Sequence, residues 1–125
     1  MRATIVTPLG KIFDGDIKEI VLPGREGEFG VLEGHAPLST TLLPGLITVK
    51  TGDKEEYLAI NGGFVEVAPE YVNVLVDEAQ PIKGSSSTEI AEAIENAKRI
   101  LREAADGNSI LASVEARIES VGRSL

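Results

Sequence analysis

The uneven distribution of glycine and proline constrains the fold of this chain more than any other feature. Ten of the 13 glycines and all six prolines lie within residues 1–82, whereas residues 85–125 contain no proline and are rich in Ala, Glu, Ile and Leu. Glycine and proline interrupt regular structure and mark turns, while the second set of residues favours helices. We therefore divide the chain into a turn-rich unit over residues 1–82, a polar linker over residues 83–87 and a helical unit over residues 88–125.

The first unit is predicted to form short β-strands separated by turns. Eight candidate strands span residues 3–7, 10–13, 16–23, 28–32, 46–51, 56–60, 63–68 and 71–77. In the last two segments valine recurs at every second position, which is the periodicity of a half-buried strand. Phe64 and Leu75 occupy the alternate positions and are therefore predicted to face the opposite side. Short strands at this spacing predict a β-sandwich or barrel of about eight to ten strands.

The second unit is predicted to form two helices packed as an antiparallel hairpin. Ser86 and Glu89 have the spacing of a capping box, in which the serine oxygen accepts a hydrogen bond from the Glu89 N–H and the glutamate reaches back. Two alanines in the first apolar seam bury little surface, so we expect the hairpin to be held weakly and to be a candidate moving part. A turn at residues 105–108 separates the two seams, which are Ile90, Ile94, Ala97, Leu101 and Ala104, and then Leu111, Val114, Ile118, Val121 and Leu125.

Composition excludes several classes of function. The 125 residues carry a formal net charge of −8, which argues against nucleic acid or an anionic lipid surface as the main partner. Because there is no cysteine and a single histidine, His35, we expect no disulfide and no metal site. We also expect no cofactor. The sequence offers no nucleophile–base pair, which argues against a hydrolase. No apolar run approaches the roughly 20 residues that cross a bilayer, and the N-terminus resembles no signal peptide. We expect a soluble domain of a reducing compartment, without direct membrane insertion.

Four basic residues of the helical unit are candidates for contact with an acidic partner. Lys98 and Arg102 form a like-charge pair four residues apart, which costs about 0.2–0.5 kcal/mol within a helix. Arg99 has acidic neighbours along its own helix, but Arg117 has none three or four positions away. Two interpretations stay open. The residues Lys98, Arg99, Arg102 and Arg117 are either an ordinary solvated face or a basic patch that meets carboxylates of another protein.

A long run in the first unit resembles the epsilon subunit of F-type ATP synthases. It is V-L-P-G-R-E-G-E-F-G-V-L-E-G-H-A-P-L-S-T over residues 21–40, followed by L-P-G at residues 43–45. Residues 60–67, I-N-G-G-F-V-E-V, and residues 72–77, V-N-V-L-V-D, are similar to the same family. The resemblance extends over almost the whole chain and agrees with the fold predicted from the residues themselves: mainly β with α, a sandwich followed by a helical hairpin.

The resemblance implies a non-catalytic rotor subunit of the central stalk. In that family the sandwich lies at the foot of the gamma shaft, on the polar loops of the ring of c subunits. It helps to fasten the shaft to the ring, so that rotation of the ring is transmitted to the catalytic head. By residue-by-residue match, Glu28, Gly30, His35 and Pro37 are expected at the interface with the ring or shaft, although turn formation would explain them as well. The implied location is peripheral, on the cytoplasmic face of the bacterial inner membrane.

The resemblance also implies a regulatory role for the helical unit. In bacterial members the hairpin can extend along the shaft, where basic residues, here Lys98, Arg99, Arg102 and Arg117, would conditionally contact the alpha/beta head and block ATP hydrolysis. Some members bind ATP through an I-D-x-x-R-A motif at the start of the first helix, but residues 87–93 are S-T-E-I-A-E-A, so ATP binding is not expected. The alternative, from another class, is a small-molecule sensor whose hairpin closes over a ligand in an apolar pocket.

Overall fold

The structure, a computed structural model, describes residues 1–104 and 110–125, and their side chains except those of residues 110–113 and 124. The predicted turn at residues 105–108 and the Leu111 side chain lie outside the described residues. Within these ranges, the elements in chain order are β1 Arg2–Thr7, β2 Gly10–Asp16, β3 Glu19–Gly24, β4 Gly27–Leu32, β5 Leu38–Thr51, β6 Lys54–Val67, β7 Tyr71–Val76, β8 Ala79–Pro81, α1 Ser87–Ala104 and α2 Ile110–Ser124.

The strands form one continuous sheet that folds over into two layers. Their order is β2-β1-β7-β6-β5-β3-β4, with β8 added to β6, and β1 and β7 run parallel while the other neighbours are antiparallel. Strand β6 belongs to both layers, because residues 58–60 pair with β8 and residues 63–67 pair with β7. The change of neighbour falls next to Gly62, whose φ of 110° favours glycine. The strands predicted at 56–60 and 63–68 are therefore a single strand.

The main hydrophobic core lies between the two layers. It collects inward-facing side chains from β1 and from β3 to β7. The predicted alternation in the last two long segments is confirmed, because their valines are at most 5% exposed whereas Phe64 and Leu75 are 43% and 54% exposed. The fold class predicted from the sequence, a β-sandwich followed by two helices, is confirmed.

A second hydrophobic cluster joins the sandwich to the helices. Leu46 on β5 and Ala59 on β6 are buried on the outer face of the sheet, while their neighbours Ile47 and Leu58 are buried in the main core. This stretch of sheet is therefore covered on both faces. On the helical side the cluster is completed by three buried seam residues and one linker-side residue: Ala97, Leu101, Ile118 and Ile82.

Helix α1 begins at the predicted cap and lies on the sandwich, whereas α2 packs mainly on α1. The Glu89 N–H donates to Ser86 Oγ at 3.2 Å, as predicted. The return bond differs, because the Glu89 carboxylate accepts from the N–H and Oγ of Ser85, at 2.6 and 2.7 Å. The second seam is shorter than predicted, since Leu125 follows the end of α2 and is 55% exposed. Ile100, outside the predicted seam, is buried.

Candidate functional site

The β3–β4 hairpin carries two of the four residues predicted at the ring or shaft interface. Glu28 lies in β4 opposite Pro23, and not in the turn itself. Gly30 lies two residues further along β4, where an added Cβ would stand 2.8 Å from Glu19 Oε2. The missing side chain thus gives space to the Glu19 carboxylate, which lies 3.1 Å from Lys50 Nζ. Gly30 has a local packing reason that the sequence did not reveal.

His35 and Pro37 lie in the connection between β4 and β5. The His35 N–H donates to Leu32 O at 3.1 Å, and its Nδ1 lies 2.6 Å from Ala36 O. Gly34 adopts a φ of 86° and donates its N–H to Pro69 O at 2.8 Å, which ties this connection to the β6–β7 turn. Pro37 is exposed. The turn geometry accounts for the His35 backbone, and Glu28 lies at the opposite end of β4, so the structure does not bring the four residues together.

All four cations of the predicted basic patch have carboxylate partners in this conformation. Lys98 binds Glu119 across the helical hairpin, and Arg102 Nε lies 2.7 Å from Glu115 Oε1. The remaining two, Arg99 and Arg117, pair with Glu78, Glu103 and Glu28. With the hairpin packed on the sandwich, a position called folded-down below, none of these four cations is unpaired. The bond from Lys98 lowers the pKa of the Glu119 carboxyl below its ordinary value.

A pattern in the sequence would have found the inter-helix pairs. Lys98 and Arg102 are four residues apart on α1, and Glu115 and Glu119 are four residues apart on α2. Residues four apart lie on the same face of their helix, so the two cations and the two carboxylates can pair in reverse order if these faces meet when the helices pack antiparallel. The repulsion between the two cations is thereby offset by two carboxylates of the other helix.

An exposed apolar row on the outer face of the sandwich was not singled out from the sequence. Val6, Leu75 and Phe64 are direct cross-strand neighbours on β1, β7 and β6. They border an open depression of about 340 Å³, which Pro8 and Gly63 also line. Large apolar side chains at outward positions of an alternating strand are the signal that predicts such a surface.

The contact between the hairpin and the sheet leaves little space for a ligand. The second hydrophobic cluster fills the space between the hairpin and the sheet, and Leu46, Ala97 and Leu101 in it are each at most 2% exposed. A cavity beside it, at Tyr57 and Ile82, holds about 110 Å³, against roughly 300–1,000 Å³ for small-molecule sites. The second cluster thus occupies the place, between sandwich and hairpin, where a ligand-closing sensor would need its apolar pocket. None of the described helices combines the length and apolarity of a membrane span.

Comparison with known proteins places this architecture in one class. A family model described as the ATP synthase Delta/Epsilon chain beta-sandwich domain matches residues 1–82. The ATP synthase epsilon chain of Wolinella succinogenes is 48% identical over 98% of this chain and 95% of its own length. That of Nitratiruptor sp. is 44% identical over 98% and 96%, and that of Helicobacter pylori strain G27 41% identical over 97% and 98%.

Solved structures agree with this assignment. A chain of the Euglena gracilis mitochondrial ATP synthase, in an assembly that includes the c-ring, superposes with a TM-score of 0.62 at 27% identity, covering 94% of this chain and 71% of that one. A central stalk and c-ring structure from Tetrahymena thermophila, at 16% identity and a TM-score of 0.55, shares the fold. The family match and the relatives, together with this fold, identify the class as a non-catalytic subunit of a rotary stalk. The chain belongs to the epsilon-chain family of ATP synthases, whose members are central-stalk subunits.

Proposed function

We propose that this chain couples rotation of the c-ring to the catalytic head and restrains ATP hydrolysis through its helical hairpin. Its sandwich docks on the gamma shaft and on the c subunits, at the cytoplasmic face of the bacterial inner membrane and without entering it. The observation that carries the proposal is identity of 44–48% over nearly the full length of bacterial epsilon chains, helices included. Structural neighbours in c-ring assemblies support the same partners.

The exposed apolar row is the best surface for docking on the shaft. Phe64 and Leu75 leave much of their side chains in water in the isolated chain. Burying a side chain of this size stabilises a complex by about 1.5–3 kcal/mol relative to leaving it exposed. Glu28, Gly30, His35 and Pro37 then serve the contact with the ring loops. The first two lie in β4 and the other two beyond its end, which implies two contact points.

The restraint on hydrolysis follows from an exchange of carboxylate partners. In the folded-down hairpin the four cations are satisfied internally, and in an extended hairpin they would meet carboxylates of the alpha/beta head. Exposed ion pairs, such as those of Arg99 and Arg117, contribute about 0.2–1 kcal/mol each, so exchanging one carboxylate partner for another changes the free energy little. The balance then depends on how firmly Leu101 and its neighbours hold the second cluster, which suits a two-state switch.

Docking is tested by Leu75→Asp, measured as the affinity of the chain for the gamma shaft. We expect a loss of about tenfold or more, because a charge replaces a side chain that would be desolvated. Leu32→Asp is the matched control, since Leu32 is 58% exposed but lies on β4, in the other layer. Equal affinities for parent and Leu75→Asp would contradict the proposed surface.

Restraint is tested in the assembled enzyme with two sets of charge variants. Lys98→Ala, Arg102→Ala and Arg117→Ala together should raise ATP hydrolysis, and the difference from the parent should shrink at high salt because screening weakens the same contacts. Glu115→Gln with Glu119→Gln should lower hydrolysis, because the cations lose their internal partners.

The control for these variants is Glu92→Gln with Glu95→Gln. Both carboxylates are exposed on α1 and lie outside this set of ion pairs. Hydrolysis at the parent rate in the triple variant at low salt would show that the basic residues are an ordinary solvated face. Assembly and proton coupling should be nearly unchanged throughout, because those functions are assigned to the sandwich.

A further inference from the structure

One ion pair connects residues that lie 89 positions apart in the chain. Arg117 Nη1 of α2 lies 2.6 Å from Glu28 Oε2 of β4 and donates a hydrogen bond to it. Both side chains are partly exposed, at 43% and 44%. Among the described residues this is the one ion pair that joins α2 to the sandwich.

The other ion pairs of the hairpin do not join α2 to the sandwich. Those of Lys98 and Arg102 hold α2 against α1 and involve no residue of the sandwich. Arg99 joins α1 to Glu78, which precedes β8. Helix α2 otherwise packs mainly on α1, with Ile118 in the second cluster. Detaching α2 from the sandwich therefore requires breaking the Glu28–Arg117 pair.

We propose that Glu28 and Arg117 form a latch that keeps the hairpin on the sandwich. Glu28 also borders an open depression of about 600 Å³ beside the β3–β4 turn, so its carboxylate stays accessible from outside. A cationic group that reaches Glu28 there competes with Arg117 and loosens α2. The position of the hairpin is thus linked to what contacts the β3–β4 hairpin.

The latch has a consequence that rests on the proposed function. While Arg117 is bound to Glu28, it is not available to carboxylates of the catalytic head. Glu28 thereby opposes the restraint on hydrolysis, which is a role different from simple docking. The latch itself is a property of the isolated chain, and it is tested there without any measurement of ATP hydrolysis.

The test measures the distance between α2 and the sandwich in the full chain. Because the protein has no cysteine, Asp53→Cys and Ser120→Cys provide two exposed sites for spin labels. Glu28→Gln should raise the ratio of released to folded-down molecules about two- to fivefold at low salt, as expected for an exposed ion pair. Arg117→Gln should raise it equally, and the two changes together should do no more than either alone.

Two further variants make the outcome decisive. Glu28→Arg combined with Arg117→Glu should return the ratio towards the parent value. Glu115→Gln breaks a pair of similar length inside the hairpin, at 2.7 Å, and should raise the ratio less than Glu28→Gln does. An unchanged ratio in Glu28→Gln, or additive effects of the two single changes, would overturn the latch.

Discussion

Arg99 of α1 is held between two carboxylates, with Nη2 3.0 Å from Glu78 Oε2 and Nη1 2.8 Å from Glu103 Oε2. The Glu103 partner lies one turn along the same helix, whereas Glu78 belongs to the connection between β7 and β8. The bond to Glu78 raises the pKa of the Arg99 guanidinium further, so the cation stays charged. Arg99 therefore anchors α1 to the sandwich as well as belonging to the proposed basic patch.

Truncation after Lys83 tests whether residues 1–82 fold as an independent unit, as we propose. The main core lies wholly within the strands and Ile17, so the truncated chain should keep cooperative thermal unfolding. It should be less stable than the full chain, because Leu46 and Ala59 lose the cover of α1 and become available to an apolar dye. Thermal unfolding by circular dichroism measures this. Loss of cooperativity on truncation would mean that the hairpin belongs to the core.

Gly63→Ala should destabilise the sandwich beneath the apolar row. A Cβ at this position would lie 2.3 Å from the Leu75 carbonyl oxygen, which is backbone and cannot rotate away. We expect a loss of about 1–3 kcal/mol in the free energy of unfolding, measured in urea. Gly15→Ala is the control, because the nearest atom to its Cβ is Phe13 Cζ at 3.9 Å. A variant Gly63→Ala as stable as Gly15→Ala would refute the close approach of β6 and β7.

Acidification should weaken the start of α1 through Glu89. Hydrogen bonds from the Ser85 hydroxyl and N–H lower the pKa of this carboxyl below its ordinary value. A pKa that is lower in the folded state adds stability above the unfolded pKa, and that stability is lost as the pH falls through the folded value. Unfolding curves from pH 7 down to the acid range should therefore depend less on pH in Glu89→Gln. Glu92→Gln, an exposed change on the same helix, should retain the parent dependence.

ATP should bind weakly or not at all at millimolar concentration. The start of α1 has no arginine before Arg99, and the Glu89 carboxylate already accepts the hydrogen bonds that Ser85 offers there. A net charge of −8 further repels a polyanion. Isothermal titration calorimetry of the full chain with ATP and Mg²⁺ measures this, and a micromolar dissociation constant would contradict it.

Local patterns predicted the elements whose causes lie near one another in the chain. The valine alternation at Val72 and Val74 identified the buried face of β7, and the Ser86–Glu89 spacing identified the start of α1. Local patterns also split β6 in two, because the glycine pair at residues 62–63 resembles a turn until β5 is known to pair with β6 on both sides of it. They also missed β8, whose three residues carry little signal of their own.

The sequence by itself determined the class of fold, the order of its two units and the charge of each candidate surface. Period and composition are local properties, and they survive in a single chain without knowledge of its contacts. Only the tertiary structure decided which charges meet. Arg117 has no partner within its helix, yet it binds Glu28 from a strand 89 residues away, because chain folding and not sequence spacing brings those two groups together.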